Sequence, residues 1–295
     1  MISIITPFYN GNEYISQLVN NINYNAINLH LKYPEMKVEL IIVNDSPQTD
    51  INIDDNTEKS EILLSIVKNN ENMGIHYSRV HGLKYAKGNY IVFLDQDDVI
   101  YKDFLLSQIE NIKENDVIVC AGVHACQDKD IRIYKNKYQH NCVKDLNKYI
   151  SVRQQIISPG QCLIKKTSIP MQWCKMIMKN NGADDYFLWI LMLAQKRKFA
   201  INGRLLYKHV ITGKNKSAEL RNMDKSVDEM VGYLKNISCL SKKQKRTLKR
   251  CNKYKQSFRY SGRLMKILYS MIHIDLAIKN IIFNICSIPN SKTKG

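Results

Sequence analysis

The carboxylates Asp95, Asp97 and Asp98 close the apolar run Tyr90–Leu94. Acids packed this densely cannot all stay buried and ionised without a compensating cation. Hard oxygen ligands at a rigid strand end suit Mg2+ or Mn2+, which keeps several waters and takes substrate phosphates into its shell. A solvated turn capping the next helix accounts for the same residues, since Asp is a good N-cap. A second acidic pair, Asp184-Asp185, precedes the apolar stretch Tyr186–Ile190. One carboxylate is expected to cap that helix, and the macrodipole favours charge on both. A carboxylate held ionised can take the proton of an attacking hydroxyl, which is general-base work, and capping explains only one of the two. His209 ends the run Leu205–Lys208 and offers an imidazole to a metal, although a lone His is more often a surface or core residue. Asp45 follows Glu39–Val43 and could accept hydrogen bonds from a base edge or ribose, with an Asx-turn before Pro47 as the plainer reading. Pro7-Phe8-Tyr9-Asn10 offers an aromatic wall and backbone groups, or simply a turn. Arg79 follows Gly74, where a guanidinium reaches either a diphosphate or solvent.

The hydrophobic pattern defines the elements that must hold these residues. Met1–Thr6 and Val38–Val43 are β-branched runs that stop at Pro7 and at the polar stretch Asn44–Pro47, which predicts two buried strands. From Glu13 to Leu31 apolar residues recur at helical spacing (Ile15, Leu18, Val19, Ile22, Ala26). Residues 50–60 read as a surface loop, Ile62–Val67 as a strand or short helix, 75–87 as a helix and Tyr90–Leu94 as a strand. This alternation predicts an α/β fold with a Rossmann-like, mostly parallel central sheet flanked by helices. Ligands of such sheets lie beyond the carboxyl ends of the strands, so loops 7–10, 44–47 and 95–98 should converge. Further strands are expected at Val117–Ala121, Ile131–Tyr134, Gln161–Lys165 and Leu205–Val210, and an apolar helix at Tyr186–Ala194. Residues 224–260 read as basic helices, and 264–288 as one amphipathic helical stretch.

The 295 residues, 44% hydrophobic with 12 Gly and 6 Pro, exclude collagen-like, low-complexity and disordered chains. Pro7 and Asn10 come too soon after the apolar residues 2–5 for a signal-peptide core, and no uncharged apolar run approaches the roughly 18 residues of a bilayer span. The eight cysteines form no C-x-x-C pair and read as reduced thiols of a cytoplasmic protein. The net charge of +17 is uneven. Residues 1–213 carry 25 basic and 22 acidic side chains, whereas 214–266 carry 16 and 4. A catalytic domain over 1–213 is therefore expected, followed by a basic helical region over 214–295. That region fits peripheral attachment to an anionic membrane face, a homo-oligomer interface, or a helical hairpin packed on the core. Nucleic acid is not an expected partner, and a nucleic-acid-binding protein using the basic tail is the weaker alternative function, because Tyr254, Phe258 and Tyr260 form no RNA-binding motif.

Taken in chain order, PFYN, VNDSP, NMG-x4-R-x2-GL-x2-AKG, LDQDD, GQCLIKK, GADDYFL and YKH closely resemble the family 2 glycosyltransferases with their GT-A fold. The resemblance covers about residues 1–213 and is densest over Asn72–Asp98. It implies inverting transfer from a nucleotide sugar, UDP-linked by family frequency, to a glycan or lipid-linked acceptor in bacterial surface polysaccharide synthesis. By the same resemblance Pro7, Tyr9, Asn10, Asp45, Arg79 and Asp95 match the nucleotide-sugar-binding positions. Asp95 and Asp97 match the D-x-D pair that holds Mn2+ or Mg2+, joined by His209. Asp185 matches the catalytic base, and Asp184 stands where the family usually has Glu. The second loop departs from the family's D-D-G-S form. A metal-dependent nucleotidyltransferase is the alternative, but the sequence has no Gly-rich, Lys-ended phosphate loop to support it.

Overall fold

The computed structural model describes residues 1–53, 61–126, 129–210 and 220–289. Part of the expected 50–60 loop and the expected boundary at 213/214 lie outside the described residues. The strands are β1 (Ile2–Phe8), β2 (Val38–Asn44), β3 (Ile62–Lys68), β4 (Tyr90–Phe93), β5 (Val99–Ile100), β6 (Val117–Cys126), β7 (Lys129–Arg132), β8 (Cys162–Lys165) and β9 (Phe199–Val210). They form one sheet in the order β3-β2-β1-β4-β8-β6-β9-β5, with β7 paired to β6. β2 is buried along its whole length and β1 at every position but Pro7. Helices cover both faces, which is why these strands read as unbroken apolar runs.

The parallel half, β3-β2-β1-β4, sets Phe8 opposite Asn44 and Asn44 opposite Lys68, so three strand ends reach the same edge. β8 runs antiparallel between β4 and β6, and β6 pairs parallel to β9. The short β5 then returns antiparallel to β9, with Val99 opposite Lys208. That pairing lays the aspartates after β4 beside His209. The ambiguous run at Ile62 is a strand. The strand expected at Ile131–Tyr134 runs over Lys129–Arg132, and Ile133 and Tyr134 beyond its end are buried in the core.

α1 (Asn12–His30) buries Ile15, Leu18, Val19, Ile22, Ala26 and Leu29, the face its spacing defined. α2 (Ile75–Tyr85) lies close on β1 and β2. A Cβ at Gly82 would sit 2.5 Å from Ile5 Cγ2 and 2.9 Å from Val43 Cγ2, so only glycine permits this approach. The remaining helices of the first part are α3 (Phe104–Ile112), α4 (Lys137–Asn141), α5 (Leu146–Ser151), α6 (Met171–Lys175) and α7 (Asp184–Ala194). α7 is buried from Asp184 to Met192.

The basic region forms α8 (Leu220–Leu234), α9 (Lys242–Tyr260), α10 (Arg263–Ile272) and α11 (Ile274–Cys286). Met230, Leu234, Ile237, Leu240 and Leu248 belong to the same buried cluster as the sheet. α8 and the first half of α9 are therefore packed on the core. The single helix expected over 264–288 is broken at His273, whose backbone (φ −116°, ψ 43°) is not helical.

Candidate active site

The three expected loops meet. Asp45 N–H donates to Phe8 O (2.8 Å), Asn10 N–H to Ser46 Oγ (3.0 Å) and Thr49 Oγ1 to Asn10 Oδ1 (2.8 Å). Tyr9 N–H donates to Gln96 Oε1 (3.0 Å), and Gln96 Nε2 returns a bond to Tyr9 O (3.3 Å). Tyr9 is left 43% exposed at the rim. The Asx-turn is made by Asn44, whose Oδ1 accepts from Ser46 N–H at 2.9 Å.

Asp45 points inward. Its Oδ1 accepts from Asn69 Nδ2 (2.8 Å) and Met73 N–H (2.7 Å), and its Oδ2 from Gly74 N–H (2.9 Å). The carboxylate thus pins the turn into α2, where Gly74 has φ +87°. Arg79, on α2, is buried and likewise turned inward: Nη1 donates to Asp184 Oδ2 (2.7 Å) and Nη2 to Asp95 Oδ1 (2.6 Å). The guanidinium expected at a diphosphate is therefore a clamp between the end of β4 and the start of α7.

The three strand-end aspartates divide. Asp98 is buried and accepts from His209 Nδ1 (3.0 Å), Val210 N–H (3.0 Å), Ser158 Oγ (3.4 Å) and Tyr207 OH. Asp97 remains half-buried, and burial, then Asp98 and Asp95, pushes its carboxyl up to about 7. Burial also raises Asp95, against the pull of Arg79. A site that drives carboxylates toward protonation fits a cation, which would offset the same repulsion. His209 suits it too, because an imidazole held through Nδ1 by a carboxylate presents Nε2 as a ligand. Among the described residues no three such groups stand as a ready-made cation cage, so phosphate oxygens and water would complete the shell.

At α7 the N-cap is Ala183, which has no side chain to cap with, and both aspartates lie inside the first turn. This corrects the expected capping by one of them. Asp185 Oδ1 accepts from Tyr186 N–H (2.7 Å) and Oδ2 from Gln154 Nε2 (2.6 Å). Burial opposes ionisation of Asp184, but Arg79 outweighs it and holds the carboxyl below its ordinary range. Asp185, pushed up by burial and then by Asp184, reaches about 8. Where the macrodipole was expected to favour charge on both acids, Asp184 is held charged and Asp185 is pushed toward protonation. The approach to this pair is set by α8: Glu229 accepts from Lys179 N–H (2.8 Å) and Asn180 N–H (2.9 Å), and Ser226 Oγ accepts from Ala183 N–H (3.0 Å).

Residues 3–173 match the sequence profile of Glycosyl transferase family 2, more than half of the chain. The chain belongs to glycosyltransferase family 2. It is 35% identical over 115 residues to TuaG of Bacillus subtilis, named for teichuronic acid biosynthesis, covering 39% of this chain and 42% of that one. Several curated relatives that it matches are thus more than twice its matched length. It is 24% identical over 216 residues to WfgD of Escherichia coli, a UDP-Glc:alpha-D-GlcNAc-diphosphoundecaprenol beta-1,3-glucosyltransferase, covering 68% and 73%. Among solved structures, S. aureus TarS 1–349 in complex with UDP-GlcNAc superposes with a TM-score of 0.62 at 16% identity, covering 88% of this chain and 73% of that one. At that identity the likeness establishes the GT-A architecture.

Within this family 2 fold the structure adds residues that sequence reasoning missed. Tyr207 shares a strand face with His209, so alternation along β9 could have found it. Gln154, Gln96 and Ser226 carry no sequence signal, because each acts on a partner at least 31 residues away.

Proposed function

We propose that this family 2 enzyme transfers a sugar from a UDP-sugar to a hydroxyl of a glycan or lipid-linked glycan, with inversion at the anomeric carbon. The observation that carries the reading is the two-handed grip of Arg79. It draws the D-x-D strand end and the Asp184-Asp185 pair, 16 and 105 residues from it in sequence, into one site. Donor-side and acceptor-side chemistry then face a common space.

Asp185 is the base. A carboxyl near 8 is poised close to working pH, where it keeps both a useful ionised fraction and affinity for the proton of the attacking hydroxyl. Gln154 orients it, and Arg79 keeps Asp184 ionised beside it. Asp97, Asp95 and His209 would hold Mn2+ or Mg2+, which when bound supplies Lewis-acid neutralisation of the departing diphosphate. Tyr9, Pro7 and Asn10 line the nucleotide side, and Asp45 shapes it by fixing the Met73–Gly74 turn. Attack from the face opposite the leaving diphosphate makes a single displacement. Support for UDP and for a lipid-linked acceptor comes from the TarS complex and from the substrates in WfgD's name.

The test is release of nucleoside diphosphate from a panel of UDP-, GDP- and dTDP-sugars with Mn2+ or EDTA, followed by NMR of the product linkage. Metal-dependent release from a UDP-sugar with an inverted linkage is expected. Pyrophosphate release, or retained configuration, overturns the reading.

A further inference from the structure

We propose that α10 and α11 form a docking face for an anionic lipid bilayer. α11 is fixed to the rest of the chain by its inner side. Leu276 and Ala277 pack with Cys251 and Tyr254 of α9, and Phe283 packs with Cys142 and Val152. Asn136 Nδ2 donates to Cys286 O (2.7 Å) and Ile288 O (3.0 Å), which locks the C-terminal end. With that side occupied, a second apolar row faces outward at Ile274, Ile278, Ile281, Ile282 and Ile285, each between 47% and 60% exposed. The spacing of these isoleucines places them on one helical face. α10 has no buried residue at all and exposes Leu264 (83%), Leu268 (46%) and Met271 (67%) at the same kind of spacing.

Monomeric proteins rarely leave such a row uncovered, and its rim decides the occupant. Arg263 and Lys279 are the exposed cations of these two helices, Lys266 lies instead over the Phe258 ring of α9 at 5.4 Å, and Asp275, their one acid, is already bound by Arg250 at 2.8 Å. An apolar row with cations along it matches the boundary of an anionic membrane, where the row enters the acyl region and the cations meet headgroup phosphates. A second copy of the chain would bring these like charges together. None of the described helices is long and apolar enough to cross a membrane, so the pair lies along the surface. The inner side of α11 is linked to the candidate site: the Arg153 guanidinium covers the Phe283 ring at 4.8 Å, and the next residue, Gln154, holds Asp185. The docking does not depend on the reaction, and its test reads binding alone.

The full chain is floated with vesicles of phosphatidylcholine, or of phosphatidylcholine with a third phosphatidylglycerol, beside the variant Ile278→Ser/Ile282→Ser/Ile285→Ser. These positions face outward, so the thermal midpoint of the variant should match the parent. Flotation with the anionic vesicles, reduced at least tenfold by the substitutions and by half-molar salt, is expected. Absence of flotation, or flotation untouched by the substitutions, overturns the proposal. So does light scattering that shows a dimer which the substitutions dissociate, because the face would then belong to a second copy. A second variant, Arg263→Glu/Lys279→Glu, should abolish the preference for anionic over neutral vesicles, and an unchanged preference counts against the proposal.

Discussion

At the scale of single residues, burial assigns different work to side chains of one type. Asp98, fully hydrogen-bonded, is architecture, Asp97 is half-buried with its carboxyl pushed up to about 7, and Asp185 is held near 8. Asp185→Asn should lower turnover by about 10²–10⁴-fold with nucleotide affinity little changed, measured by diphosphate release and calorimetry. In the parent, kcat/KM should climb with pH toward a plateau above about 8, as Asp185 loses its proton, and this limb should vanish in the variant. The same shift has a stability sign. A carboxyl raised in the folded state contributes stability that is complete below its unfolded value of about 3.9 and lost as pH rises through about 8. Asp185→Asn should therefore raise the melting temperature above pH 8. Asp97→Ala should abolish metal-dependent nucleotide binding in calorimetry while leaving the fold intact, because its carboxylate is half-buried at the rim. The sequence showed three acids at a strand end but could not divide them. That division depends on Tyr207, Ser158 and His209, which reach Asp98 from 60 to 111 residues away.

At the scale of elements, periodicity was a sound guide where one face is buried and a poor one where ends are set by tertiary contacts. α1, β1 and β2 follow their patterns almost to the residue, since buried strands and a one-faced helix leave clear signatures. The break at His273 left no such mark, because apolar residues continue on both sides of it. The turn into α2 couples an element to the site: Gly74 is left-handed, and a Cβ there would lie 2.8 Å from Asn181 Oδ1. Gly74→Ala should cost about 1–3 kcal/mol in urea unfolding. It should also weaken nucleotide binding, because the Met73 and Gly74 N–H groups hold Asp45.

For the whole molecule, the charge map separated a neutral part from a basic one without showing that the two share a core. Sequence charge reports on solvent exposure, whereas the sharing rests on a few apolar residues, Met230, Leu234, Ile237, Leu240 and Leu248, scattered among lysines. A chain ending at Val210 should therefore lose cooperative unfolding, since it would uncover these partners and strip Ser226 and Glu229 from the loop before Asp184. Arg79 ties the molecule together in the other direction. Arg79→Met would leave Asp95 and Asp184 without their shared counter-charge, at a cost of about 3–5 kcal/mol in denaturant unfolding. That dependence also constrains how the gene can drift. Positions 79, 95 and 184 cannot be exchanged singly without a stability loss that selection would feel, so across descendants they should change in concert or not at all. A lineage that had lost the arginine would be expected to have shed one of the two acids as well.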